Sequence, residues 1–142
     1  MPESVIRSSC EKDTFEHGFL FSKNIKHLPT LILLNGPVGA GKTIWVKGFV
    51  WGYLKKKNLV TSASYSLVNG YTTLKKEVIH MDLYRLQSED DLESVGFWDY
   101  LMGPRVIIAE WGDSINGLPK NLKVHTIKFE IKSKNSRVLL TS

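Results

Sequence analysis

Leu31-Ile32-Leu33-Leu34-Asn35-Gly36-Pro37-Val38-Gly39-Ala40-Gly41-Lys42-Thr43 is the stretch on which the reading of this sequence turns. Its opening residues, 31–35, are an unbroken apolar run ending in Asn, the mark of a strand covered on both faces. From Gly36 the chain fits G-x-x-x-x-G-K-[ST]. That spacing has a physical basis. Glycines let the backbone wrap so that several N–H groups converge on one oxyanion. A helix opening at Thr43 presents its positive end to the same point. Lys42 reaches the β- and γ-phosphates, and the Thr43 hydroxyl is placed to ligate Mg²⁺. Chance alone gives such a string in on the order of one chain in a few hundred of this length. The strand before it and the helix after it supply the context that the motif demands.

Working outward, residues 43–57 read as the strongest helix, with Val46, Val50, Tyr53 and Leu54 on one face. Gly48 and Gly52, four apart, leave room for a closely packed neighbour. Trp45 and Trp51 fall off that face and read as packing residues. Lys55-Lys56-Lys57 suits the negative end of the helix dipole. Upstream, 4–8 reads as a short strand, and Ser8-Ser9-Cys10-Glu11 has capping-box spacing ahead of Phe15, Phe19 and Leu20. Downstream, 77–82 is a strand, and Ser88 with Asp91 opens a helix that stops at Gly96. A third buried strand follows at 105–110. Residues 123–131 and 137–140 read as a closing hairpin with one wet face. Apolar strands alternating with helices predict an α/β, P-loop NTPase-like three-layer sandwich around a mostly parallel sheet.

The whole chain, 1–142, reads as a single domain built around this phosphate loop, since 142 residues and 16.1 kDa match one domain. With 42% hydrophobic and 23% charged residues it falls outside the disordered and low-complexity classes. Cys10 is the only cysteine, so no intrachain disulfide forms, and a free thiol suits a reducing compartment. The four histidines, His17, His27, His80 and His125, are scattered and carry no zinc spacing. No apolar run approaches the ~20 residues that cross a bilayer, and Met1 to Arg7 lacks a signal-like layout. The expectation is a cytoplasmic protein with no membrane role. The net charge of +5 is read as a solvated Lys-rich surface, because no basic stretch interleaves aromatic stacking platforms.

Two carboxylates end strands: Asp82 closes Val78-Ile79-His80-Met81-Asp82 and Glu110 closes Val106-Ile107-Ile108-Ala109-Glu110. Ligands of open α/β sheets sit beyond the carboxyl ends of the strands, so both acids are expected to face the Gly36–Thr43 loop. The sequence holds no Asn-Lys-x-Asp tetrapeptide for reading guanine, which favours adenine by elimination.

The phosphate loop is followed by Val60-Thr61-Ser62-Ala63-Ser64-Tyr65-Ser66-Leu67-Val68-Asn69-Gly70-Tyr71, His80-Met81-Asp82-Leu83-Tyr84-Arg85-Leu86, Asp91-Leu92-Glu93-Ser94-Val95-Gly96-Phe97-Trp98-Asp99-Tyr100-Leu101 and Ala109-Glu110-Trp111. In order and spacing these resemble the TsaE family of bacterial tRNA threonylcarbamoyladenosine synthesis. The resemblance runs from about Leu31 to Trp111. It implies an ATP-binding, Mg²⁺-dependent, partner-stimulated ATPase. Such a protein acts on TsaD and TsaB in N6-threonylcarbamoylation of adenosine 37, meeting tRNA only indirectly through that complex. By the same resemblance Gly36, Gly39, Ala40, Gly41, Lys42 and Thr43 hold the nucleotide with Trp111 beside it. Thr43 and Glu110 hold the metal, Asp82 serves hydrolysis with Lys42, and residues 61–71 sense nucleotide or partner. Three departures stand out: Ser62-Ala63-Ser64 where the family usually has Ser-Pro-Thr, Pro37 where it has an acid, and Gly112-Asp113 after Trp111. The lost proline frees a backbone angle, so 61–71 is expected to be the most mobile internal segment.

Two other functions compete. A small-molecule kinase shares the loop and the size, but it usually carries an arginine-bearing lid. Only Arg85 and Arg105 lie between the loop and residue 136. A binding module without turnover has no need of paired Asp82 and Glu110. Free phosphate as product separates hydrolysis from both. Other residues carry two readings each. His80 shares a strand face with Asp82 and either orients that acid or simply packs. Arg85 either clamps Asp82 or a phosphate or stands in a surface ion pair. Trp98 and Tyr100 read as core.

Overall fold

In the computed structural model of the chain, the described residues are 4–57, 59–60, 68–83, 88–110 and 115–142. The strands are β1 (Ser4–Ser8), β2 (Thr30–Asn35), β3 (Val68–Thr72), β4 (Glu77–Asp82), β5 (Val106–Glu110), β6 (Lys123–Ser133) and β7 (Ser136–Thr141). They form one sheet in the order β1-β7-β6-β2-β5-β4-β3. The four inner strands, β6, β2, β5 and β4, run parallel, while β1, β7 and β3 join antiparallel at the edges. The helices are α1 (Glu11–Ser22), α2 (Lys42–Leu54), α3 (Glu89–Ser94) and α4 (Phe97–Tyr100).

The layers follow from strand alternation. Ile32, Leu34, Val78, Val106 and Ile108 point to one face, where α2 lays Trp45, Val46, Phe49 and Val50 against them. Leu31, Leu33, Ile79, Met81 and Ile107 point to the other, packing with Leu92 of α3 and Phe97 of α4. The expected three-layer sandwich is therefore present, with the parallel part confined to its centre.

Helices α1 and α2 cross at backbone contact. A Cβ on Gly18 would collide with the carbonyl of Trp45, and one on Gly48 with the carbonyl of Phe15. Gly52 meets Phe19 and Ser22 in the same seam. Trp45 is a packing residue, as expected: it is fully buried, stacks on Phe49 at 5.5 Å between centroids, and Phe49 stacks on Tyr53 at 5.6 Å. Trp51 packs edge-on against Phe15.

Several expectations shift. The helix from the phosphate loop ends at Leu54, because Lys55 turns left-handed at φ 58° and caps it by donating to Trp51 O. Cys10, not Ser8, is the N-cap of α1 and makes no side-chain cap bond. The acid that folds back is Asp13, which accepts from both the backbone N–H and the hydroxyl of Ser9. Ser8 is buried and bonds instead to Thr14 and to Cys10 O. Of segment 61–71, Val68 to Tyr71 belongs to β3, an edge strand paired to β4; residues 61–67 lie outside the described residues. The closing hairpin exists, but β6 is also an inner strand, running parallel to β2 from Thr30↔Lys123 to Asn35↔Lys128.

Candidate active site

The loop between β2 and α2 has three glycines in conformations closed to other residues: Gly36 at φ 152°, Gly39 at 82° and Gly41 at 103°. At Gly39 an added Cβ would meet nothing within 4 Å, so the backbone angle alone demands glycine there. Gly41 is the N-cap of α2 and offers no side chain to its first turn. The N–H groups that open a helix without a side-chain cap are suited to an anion.

This loop floors a cleft of about 520 Å³. Gly39, Ala40, Gly41, Lys42 and Thr43 line it, and so do Asp82 and Glu110. The two acids are register partners at the ends of β4 and β5, so the topology brings them side by side next to the loop that ends β2. The expectation that both face the loop is met. Lys42 is buried and donates from Nζ to Gly36 O at 2.6 Å. Burial pushes its ammonium below the usual lysine range, while the nearby charges of Glu110 and Asp82 pull it back up. A buried cation between a phosphate-shaped loop and two carboxylates is a donor set that fits a nucleotide phosphate chain with a hard cation. Thr43 and Glu110 carry oxygen atoms of the kind such a cation prefers, and both line the cleft.

His80 does not orient Asp82. It is fully buried, and its Nε2 lies 2.7 Å from Glu110 Oε2. Its Nδ1 has no hydrogen-bond partner among the described residues. With Nδ1 unbonded, the proton belongs on Nε2, where it is donated to the carboxylate. Strand parity puts both acids on the face of His80. Alternation alone therefore leaves open which one it serves; only the sheet order shows the reach from β4 to β5.

Trp111, which the resemblance puts beside the nucleotide, and Arg85, read either as a clamp on Asp82 or a phosphate or as a surface ion-pair residue, lie outside the described residues. Arg105 is spent elsewhere, donating to Glu77 Oε1 at 2.5 Å and to Tyr100 O at 2.8 Å at the opposite end of the strands. Another arginine reaches the loop: Nη2 of Arg137 in β7 donates to Gly39 O at 3.3 Å. It was missed because 98 residues separate the partners and β7 carries no motif.

A sequence model of the family described as "Threonylcarbamoyl adenosine biosynthesis protein TsaE" matches residues 8–139. The tRNA threonylcarbamoyladenosine biosynthesis protein TsaE of Rickettsia prowazekii is 32% identical over 108 residues, covering 76% of this chain and 74% of the relative. The Bacillus subtilis protein of the same name is 35% identical over 85 residues, 60% of this chain and 52% of the relative. In three dimensions the chain is similar to the crystal structure of Bacillus subtilis YdiB. The TM-score is 0.79 at 24% identity, over 99% of this chain and 84% of the other.

Proposed function

The chain belongs to the TsaE family of tRNA threonylcarbamoyladenosine biosynthesis, and from that membership and the cleft we propose that it is a Mg²⁺-dependent ATPase serving the TsaD–TsaB pair. The observation that carries the reading is the convergence of Lys42, Asp82 and Glu110 on the glycine loop at the carboxyl edge of the sheet.

Each residue has a task set by its place. Backbone N–H groups of 39–43 bind the phosphate oxygens. Lys42 exchanges its bond to Gly36 O for the β- and γ-phosphates, where a charge-assisted bond is the strong kind. Thr43 and Glu110 hold the cation, with His80 fixing one Glu110 oxygen. The cation, when bound, neutralises charge that builds on the transferring group. Asp82 orients the attacking water and accepts its proton. The cytoplasm is the compartment that this function and the free Cys10 suit. Among the described residues no helix is long and apolar enough to cross a membrane.

Titration calorimetry with Mg-ATP tests the binding half. Wild type is expected to bind, and Lys42→Ala to weaken binding by roughly ten- to a hundredfold, the worth of one charged hydrogen bond. Unchanged affinity in the variant would place the nucleotide elsewhere.

A further inference from the structure

Three neighbouring strands carry a line of polar side chains into the apolar layer under α2. β5, β4 and β3 lie side by side at one edge of the sheet. Glu110 ends β5, and its Oε2 lies 2.7 Å from Nε2 of His80 in β4. Next in line is Asn69 of β3, the antiparallel register partner of His80. Directly opposed residues of an antiparallel pair point to one face, with Cβ atoms roughly 4.5–5.5 Å apart. The pair Tyr71↔Val78, two residues along, shows which face this is: both belong to the core beneath α2. Asn69 and His80 therefore share that inward face.

Asparagine is a poor strand residue, and an inward face on a strand is a poor place for its amide. Asn69 is half-buried overall, but its Nδ2 is shut off from solvent and has no partner among the described residues. The same holds for His80 Nδ1. The two atoms are complementary. An amide nitrogen donates, and the Nδ1 of an imidazole whose proton sits on Nε2 accepts. An orphaned donor and an orphaned acceptor enclosed on directly opposed residues are costly until they meet. A turn of the amide about its soft terminal torsion, or one enclosed water, joins them.

We propose that Asn69 is a positioning residue for the metal site, donating to His80 Nδ1 directly or through one water. That donation holds the imidazole in the tautomer with its proton on Nε2, and the Nε2 proton in turn fixes Glu110 Oε2. Without a donor at Nδ1 the proton is free to move there, and Nε2 then turns a lone pair toward the carboxylate. The proposal rests on the Mg-ATP reading above and deepens it: support for the metal ligand extends from β5 through β4 to the edge strand.

The bond itself is tested on the wild-type chain without nucleotide. The nitrogen-15 resonances of the His80 imidazole, once assigned, report which nitrogen holds the proton and whether the other accepts a hydrogen bond. A proton on Nε2 is expected, with Nδ1 displaced from the position of a bare lone pair and returning toward it in Asn69→Ala. A proton on Nδ1, or an Nδ1 resonance that Asn69→Ala does not move, overturns the proposal. The consequence is tested by calorimetry of ATP binding with Mg²⁺ and in excess chelator. Asn69→Ala is expected to weaken binding with Mg²⁺ by about fivefold, the worth of one neutral hydrogen bond, and binding in chelator by less than about twofold. Asn69→Asp keeps the shape but offers only acceptors, so its loss should be at least as large, whereas a packing role would leave it near wild type. Because Asn69 acts through the imidazole, Asn69→Ala should add less than about twofold to His80→Ala. Equal losses with and without Mg²⁺, wild-type binding by Asn69→Asp, or independent losses in the double variant count against it. Wild-type ATP binding that ignores Mg²⁺ would instead overturn the reading beneath, and the nitrogen spectrum still decides the bond.

Discussion

His80 and Asp82 stand two apart on one strand face, yet the proposed function gives them separate tasks, and substitutions tell these apart. Asp82→Asn is nearly isosteric and keeps a polar group in the cleft, but the amide cannot accept a proton. Nucleotide affinity is expected to hold within a fewfold while turnover falls by roughly 10²–10⁴. Calorimetry and phosphate release on one preparation check it, and wild-type turnover would reduce Asp82 to a structural acid. His80→Ala removes the donor to Glu110 Oε2. Because a group that orients a metal ligand is worth about ten- to a hundredfold in metal affinity, the Mg²⁺-dependent part of ATP binding should fall by that factor. Binding measured in excess chelator should not change. His80→Gln, which keeps an N–H donor, should restore most of the loss; equal damage with and without Mg²⁺ would make His80 a packing residue only.

The helix pair α1–α2 carries the phosphate loop, and its seam sets its own constraints. Gly48→Ala adds a methyl group where the Phe15 carbonyl already stands. Alanine gains about 1 kcal/mol of helix propensity, but overpacking against backbone typically costs about 1–3 kcal/mol and no flexible side chain is there to yield. Net destabilisation is expected, read as a lower midpoint in urea with an unchanged slope; an unchanged midpoint would mean that the helices are not in backbone contact. The same pair holds a pH-sensitive bond. Trp45 Nε1 donates to His17 Nδ1 at 2.7 Å, which needs a neutral imidazole. Burial depresses the pKa of His17, and burial then Lys123 depress that of His125, which packs edge-on against Phe21. Below about pH 6.5 the unfolded chain binds protons that the folded chain resists, so stability falls with pH from there. His17→Gln keeps an acceptor for Trp45 without titrating, and its stability should decline less between pH 7.5 and 5.5. Parallel decline in the two proteins would rule out His17 as a source.

At the scale of the whole molecule, what was legible in the sequence is what local chemistry dictates. The phosphate loop reads directly because phosphate wrapping dictates its glycines. β2, β4 and β5 read because strands buried on both faces leave apolar runs, and their shared direction places Asp82 and Glu110 together. β3 did not read: Asn69 and Gly70 are turn formers, and an edge strand with four of its five residues partly or fully exposed has no buried run to announce it. The parallel pairing of β6 with β2 was hidden because the alternation of 123–131 is the same for a plain hairpin as for a strand with a second partner. The reach of Arg137 to Gly39 depends on how far β6 runs past the end of β2, which no local spacing records.

The same view of the whole sets the expected pace of turnover. The described cleft supplies Lys42, and Arg137 is engaged with four backbone carbonyls. Phosphoryl transfer depends on positive charge placed around the transferring group, and loops of this type often gain ~10³–10⁵ in rate when an arginine or an ordered segment is supplied by a partner. The measurement that bears most directly on the proposed function is therefore phosphate release by the purified chain, alone and with a stoichiometric TsaD–TsaB complex. Slow release alone, rising by at least about tenfold with the complex and abolished in both cases by Asp82→Asn, is the predicted result. Release by the isolated chain already at ~1–100 per second, unchanged by the complex, would contradict a partner-coupled ATPase and point to an enzyme that works by itself.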